Sequence, residues 1–245
     1  MWKVTPGNPG QLSYRWSKVS NAEFKICRDE IEFLRRHWEE SLYRFDADQD
    51  EVEGLFSQLI ELYSDGGRAY HNLSHIRSLV DLSGSFRRRI ENHQALSFAI
   101  WFHDAIYNSR KTDNEELSAK FAVKSLGRFK IPIDTLALSC EMIISTRRHL
   151  KNGFSEDINF FLDLDLAILG SEETVYRSYM NAIREEYRWA PDHLYNEGRK
   201  RVLERFLQRE SIYLTSELAL IFEEKARRNI ARELDSLSAR SSMST

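Results

Sequence analysis

Cysteine, proline and glycine are all scarce in this 245-residue chain, at two, four and ten residues. Cys27 and Cys140 each stand alone in their segments, which excludes a disulfide framework and a paired-cysteine zinc site. So few turn formers disfavour a β-rich fold, which breaks its strands with Gly and Pro every several residues. No apolar run approaches the ~20 residues that span a bilayer. The opening MWKVTPGNPGQLSY has no secretory core. A net charge of -3 argues against a general nucleic-acid-binding surface. A Walker-type GxxxxGK[ST], an HExxH and a GxSxG are also missing, which disfavours a P-loop machine, a zincin and a serine hydrolase. These absences predict a cytoplasmic protein with no membrane partner; they leave the oligomeric state open.

What remains is a helical pattern. Apolar residues make up 42% of the chain, enough for a sizeable core. Residues 1–20, with Pro6 and Pro9, read as an irregular extension, and 236–245 as a disordered tail. Between them, 21–235 read as one all-α domain. Apolar spacings of three and four place helices at 21–45, 52–63, 73–90, 94–106, 133–145, 158–168, 171–188, 192–210 and 215–235. The acidic DADQDEVEG (46–54) reads as a connector and SDGGR (64–68) as a break. Asp113 is placed to cap a helix carrying Glu115 and Glu116, and Pro191 to occupy a first helical turn. Residues 94–106, QALSFAIWFHDAI, are apolar nearly all round, which predicts a central helix.

That central segment also carries a His-Asp pair, His103 and Asp104, among Trp101, Phe102 and Ile106. An unpaired carboxylate in such surroundings costs several kcal/mol, on the order of 2–7 for a polar group and more for a charge. Upstream lie His71 and His75, four residues apart, and downstream the acidic FLDLDLAILG with Asp163 and Asp165. Imidazole and carboxylate together suit a borderline or hard divalent ion, which would remove the burial cost. Each piece has a plainer reading: the His-x3-His as a surface helix pair, the His-Asp as a buried hydrogen-bonded pair.

The order His, His-Asp, Asp resembles the HD superfamily of metal-dependent phosphohydrolases. More narrowly, YHNLSHI, WFHDAIY, DNEELSA and LDLDLAILG, with YRSYMNAIREEY and a late FLQRESIY, resemble a family of HD phosphohydrolases without a settled substrate. The likeness covers about residues 35–235. A shorter likeness links YHNLSH to the cyclic-nucleotide phosphodiesterases.

The resemblance implies an HD-like helical bundle with its metal site between central helices. It makes His75, His103, Asp104 and Asp165 the ligands of a divalent ion (Mn, Mg, Fe, Co, Ni or Zn) and gives His149 to a possible second ion. His71 matches the histidine that, in the phosphodiesterases, protonates the leaving oxygen. Glu115 and Glu116 read either as first-turn acids that complement the helix dipole or as offering one glutamate, Glu116 before Glu115, to bind or orient a metal-held water. A shift of two residues swings a helical side chain by about 200°, so only one of Asp163 and Asp165 faces the site easily. The family pattern favours Asp165, with Asp163 as the alternative or as the group that fixes a ligand histidine's tautomer. Arg147, Arg148, Lys151, Arg110 and Lys111 are candidates to hold a substrate phosphate, since guanidinium forks match its oxygens. The aromatics of YRSYMNAIREEYRW read as a packing stripe. The expected activity is hydrolysis of a small phosphate ester, with a nucleotide first by analogy with related enzymes. Two rivals remain: a di-iron oxygenase on the same fold, and a nucleotide-binding regulatory domain without catalysis.

Overall fold

The computed structural model of the protein describes residues 26–242, with side chains to 239. The expected extension at 1–20 lies outside the described residues. Among the described residues ten α-helices follow one another: α1 (Arg28–Leu42), α2 (Gln49–Tyr63), α3 (Leu73–Ser85), α4 (His93–Phe102), α5 (Asn114–Leu126), α6 (Ile133–Ser145), α7 (Glu156–Asp165), α8 (Glu173–Glu186), α9 (Asp192–Leu207) and α10 (Ser216–Ser242). Short 3-10 turns cover Tyr43–Phe45, Arg87–Arg89 and Leu166–Gly170. Among the described residues there is no strand, so the all-α expectation holds.

The apolar helix expected at the centre is there. Every residue of α4 from Ala95 to Phe102 is buried, and α1, α3, α5, α6 and α7 pack around it. Trp101 meets Trp38 edge-on at 5.6 Å and Phe56 at 5.9 Å. Both indoles also satisfy their N–H: Trp101 donates to His37 Nδ1 at 3.2 Å and Trp38 to the Val52 carbonyl at 2.9 Å. A buried indole without that partner would forfeit part of its packing gain. Buried side chains from Leu34 to Leu237 form one continuous apolar cluster.

Polar side chains set where helices begin. The buried Asp157 carboxylate accepts from Glu91 N–H at 3.0 Å and Asn92 N–H at 2.7 Å. Asn92 in turn caps α4 by accepting from Ala95 N–H at 2.9 Å. Asp48 accepts from Asp50 and Glu51 N–H, so α2 starts at Gln49 and the expected connector shrinks to 46–48. Acidic residues suit that helix start because its exposed N–H groups carry partial positive charge. Asp113 occupies the residue before α5 but makes no capping bond. Pro191 precedes α9 as its N-cap residue instead of lying in the first turn. The tail expected to be irregular continues α10 to Ser242, with Leu237 buried against the core and no Gly or Pro to stop the helix.

The C-terminal helices close over the end of α7. Asn229 on α10 donates to the Leu169 and Ser171 carbonyls, each at 2.9 Å. Gly170 is required at this crossing: a Cβ there would lie 2.6 Å from Phe222 Cβ and 2.8 Å from the Phe222 carbonyl oxygen. A buried fork from Arg199 to Glu233 at 2.8 and 3.1 Å, with Tyr176 donating to Glu233 at 2.6 Å, joins α8, α9 and α10. Among the described residues, no helix is long and apolar enough to cross a membrane. Gly170→Ala is expected to lower unfolding free energy by roughly 1–3 kcal/mol, the usual penalty for forcing a methyl into a filled site. Urea denaturation measures this, and an unchanged midpoint would contradict the close approach of α10.

Candidate metal centre

Three helix ends and one helix start deliver the site. His75 sits in the first turn of α3, which Asn72 caps by accepting from Ser74 N–H at 2.9 Å. The expected helix over 94–106 ends at Phe102, so His103 and Asp104 lie in the turn that follows. This resolves their geometry: on a continuous helix neighbours diverge by about 100°, whereas here His103 Nε2 and Asp104 Oδ2 stand 3.0 Å apart. Asp165 is the last residue of α7. His149 closes the turn beyond α6, its N–H donating to the Ser145 carbonyl at 3.0 Å. The C-terminal ends of α4, α6 and α7 thus meet at one place, and their partial negative charge favours a cation there.

Side-chain staples hold these turns. The Arg68 guanidinium donates to the carbonyls of Asp104 (2.6 Å), Ala105 (2.8 Å) and His71 (3.2 Å), tying the two histidine segments together. The DNEELSA segment fastens the turn from the other side. Ser118 Oγ both accepts from Ile106 N–H and donates to its carbonyl, and Asn114 does the same for Asn108. Asn159 grips Asn152 in that way too, accepting its N–H at 2.7 Å and donating to its carbonyl at 2.9 Å, which anchors the loop after His149.

Donor atoms of His75, His103 and Asp165 all lie within 4.8 Å of one another. His75 Nε2 is 3.2 Å from His103 Nε2 and 3.0 Å from Asp165 Oδ1, and His103 Nε2 is 3.6 Å from Asp165 Oδ1. Ligands about 2.1 Å from one ion at 90–110° stand about 3.0–3.4 Å apart, so the spacing fits a shared cation. The tautomer fits as well. His103 Nδ1 lies 3.0 Å from the Ile100 carbonyl, which only accepts, so Nδ1 carries the proton. Its Nε2 lone pair then faces His75 and two carboxylates, an arrangement that needs either a proton or a metal ion between them. A cavity of about 20 Å³ beside His75 and Asp165 has room for one water-sized species.

Without a metal the proton takes that place. Burial works against a charged His103, but Asp104 and Asp165 outweigh it and raise its pKa to about 9. Burial likewise opposes the Asp104 and Asp165 anions, yet the surrounding histidines hold both carboxyls below the usual range. Asp165 uses both oxygens: Oδ1 faces His75 and His103, while Oδ2 lies 2.9 Å from His149 Nε2. His149 reaches it from a left-handed backbone, φ 47°.

The buried Asp163 takes no histidine as partner. Its carboxylate accepts from Leu214 N–H, Thr215 N–H and Thr215 Oγ, each at 2.7 Å, and so holds the chain entering α10. Two residues before Asp165 on α7, it gives both oxygens to the start of α10 and makes no hydrogen bond to a ligand histidine, which corrects its expected role there. Burial pushes its carboxyl up to about 6, against hydrogen bonds that favour the anion.

His71 stands beside the cluster, its ring 6.2 Å from that of His75. It belongs to a network that reading the sequence missed. The buried Glu186 carboxylate accepts from Tyr70 N–H (2.7 Å), His71 N–H (2.9 Å) and Tyr107 OH (2.8 Å), and pairs with His71 Nδ1 at 2.6 Å. Tyr107 also stacks on His71, centroids 4.3 Å apart. Burial opposes a charged His71, but Glu186 and Asp104 raise its pKa above the ordinary value. One signal was available: Glu186 continues the buried face Tyr176, Tyr179, Ala182, Ile183 of α8, where a carboxylate needs a partner.

The remaining candidates are dispersed. Glu116 and Arg147, expected to orient water and hold phosphate, pair with each other. Arg148 and Lys151 are exposed, and the Arg148 carbonyl accepts from Arg209 at 3.0 Å. Lys111 is exposed in the loop before α5, and Arg110 lies over the Trp189 ring at 5.1 Å. Compared with known proteins, the chain matches no family model, no curated protein and no solved structure.

Two outcomes follow from the geometry. Calorimetric titration with Mn²⁺ or Zn²⁺ is expected to show tight binding that weakens at least tenfold in Asp165→Asn and in His103→Ala; equal binding by the variants would remove these ligands. In metal-free protein, a His pKa raised to about 9 contributes stability in full below about 6.5 and loses it as pH rises through 9. The lowered Asp104, Asp165 and Glu186 change nothing in that window, since all stay ionised. The melting temperature should therefore fall between pH 6.5 and 9.5 for the metal-free wild type, and more weakly for His103→Gln.

Proposed function

We propose that the protein is a divalent-metal-dependent phosphohydrolase acting on a small phosphate ester. The carrying observation is the convergence of His75 Nε2, His103 Nε2 and Asp165 Oδ1 beside a histidine whose second nitrogen is fixed by a buried glutamate. The HD-like order of these residues along the chain supports the same reading. A divalent ion held by this set supplies Lewis acidity towards a phosphoryl oxygen and lowers the pKa of a water from 15.7 towards about 7. Asp104, 3.0 Å from His103, completes the ligand set in this reading. Asp165 Oδ2 and His149 Nε2, 2.9 Å apart, would be the groups to hold a second ion.

The protein's own groups manage the proton. An ionised Glu186 accepts from His71 Nδ1–H, so the proton available for transfer sits on Nε2 of the imidazolium. Glu186 stabilises that cation and raises the His71 pKa above its ordinary value, which favours the form that can protonate a leaving alkoxide. Tyr107 stacking and the backbone N–H of His71 on the same carboxylate fix the ring plane. The Arg68 staple holds the His71 carbonyl in register with Asp104.

Phosphate release from nucleotides, sugar phosphates and cyclic dinucleotides, with Mn²⁺ or Mg²⁺, tests the reading. Asp104→Ala is expected to lose bound metal and turnover while keeping its helical circular dichroism; retained turnover would refute the assignment. His71→Ala should keep the metal and slow turnover by roughly 10²–10⁴-fold. Glu186→Gln removes the group that raises the His71 pKa, so the alkaline limb of the pH–kcat profile should move to lower pH. A limb that stays in place would take Glu186 out of the proton path.

A further inference from the structure

Beside Tyr107 lies an open cleft of about 650 Å³, lined in part by Ser109, Arg110, Arg188 and Trp189. Its volume suits a ligand of nucleotide size. The 44% exposed Trp189 is held in a fixed plane: its Nε1–H donates to Ser109 Oγ at 2.9 Å, and Ser109 Oγ donates to the Glu186 carbonyl at 2.9 Å. The same Glu186 orients His71 through its carboxylate, so the indole and the proton donor are set by one residue. Over the indole lies the Arg110 guanidinium at 5.1 Å, with Tyr187 6.1 Å away on the same loop. A pinned indole with a guanidinium over it is a pairing that takes up planar rings by stacking, and the Arg110 side chain would swing outward from its 5.1 Å contact to admit one. Tyr107 belongs to both places, its ring stacked on His71 and also lining the cleft.

We propose that this cleft is the subsite for the nucleobase of a mononucleotide, stacked on Trp189 and covered by Arg110. As an account of the substrate it rests on the phosphohydrolase reading; as a binding site it stands on the cleft alone. The net charge of -3 favours a mononucleotide over a nucleic-acid strand, which would call for an extended basic track.

Calorimetry on the full chain, with and without Mn²⁺, tests it with AMP, GMP, CMP and UMP as probes, ribose 5-phosphate as the ringless control and a deoxythymidine hexanucleotide as the strand. The tightest mononucleotide is expected to bind at least tenfold better than ribose 5-phosphate. Trp189→Ala should weaken it by roughly 10-fold or more, one stacking contact's worth, and Trp189→Phe should restore binding to within about threefold. Equal binding of ribose 5-phosphate, or wild-type affinity in Trp189→Ala, overturns the subsite. A hexanucleotide more than tenfold tighter than every mononucleotide also overturns it, by making a strand the ligand. If mononucleotides bind as expected but Mn²⁺-loaded protein releases no phosphate from any of them, the subsite stands and the hydrolase reading fails. If phosphate is released while Trp189→Ala leaves nucleotide binding and KM unaltered, the hydrolase reading stands and the subsite fails.

Discussion

The Asp165 carboxylate is placed where a negative charge is least welcome. It ends a helix, where the backbone already presents partial negative charge, and two more helices end beside it. Little water reaches it to offset that field, with 14% of the side chain exposed. Only positive charge makes the arrangement tenable, and the protein surrounds the group with His75, His103 and His149. A metal ion or bound protons can meet the demand, so the fold itself makes a place for positive charge at this carboxylate.

Holding three such turns together falls to a repeated device. Ser118, Asn114 and Asn159 each bind both the N–H and the carbonyl of one loop residue, as a neighbouring strand would. Arg68 gathers three carbonyls from two segments. In an all-helical protein the irregular backbone around a site has no sheet to pair with, and buried N–H and carbonyl groups must still be satisfied. The side chains that perform this give DNEELSA much of its distinctive character: its Asn and Ser are clamps, while its second Glu pairs with Arg147.

The helices were legible because apolar spacing carries them, and α4 stood out as central because polar residues are missing from most of its circumference. Boundaries were not. The acidic run before Val52 looked like a connector, yet acidic residues are what a helix start favours. The break at Phe102 has no glycine or proline to mark it, since it is imposed by the staples from Arg68 and Ser118. Among the site residues, His75, His103 and Asp165 were visible as polar groups in apolar company. Glu186 was one letter in an aromatic stripe, and its partners lie 79 and 115 residues away. The pairing of Glu116 with Arg147, 31 residues apart, is equally invisible to spacing.

His149 adopts a backbone conformation in which glycine would sit at ease, and a side chain there costs roughly 1 kcal/mol or more. From that position the imidazole meets Asp165 Oδ2 at 2.9 Å. The backbone cost of this position and the charge balance of Asp165 therefore pull in opposite directions. A glycine at 149 would relieve the backbone and at the same time leave one oxygen of a largely buried carboxylate without its imidazole.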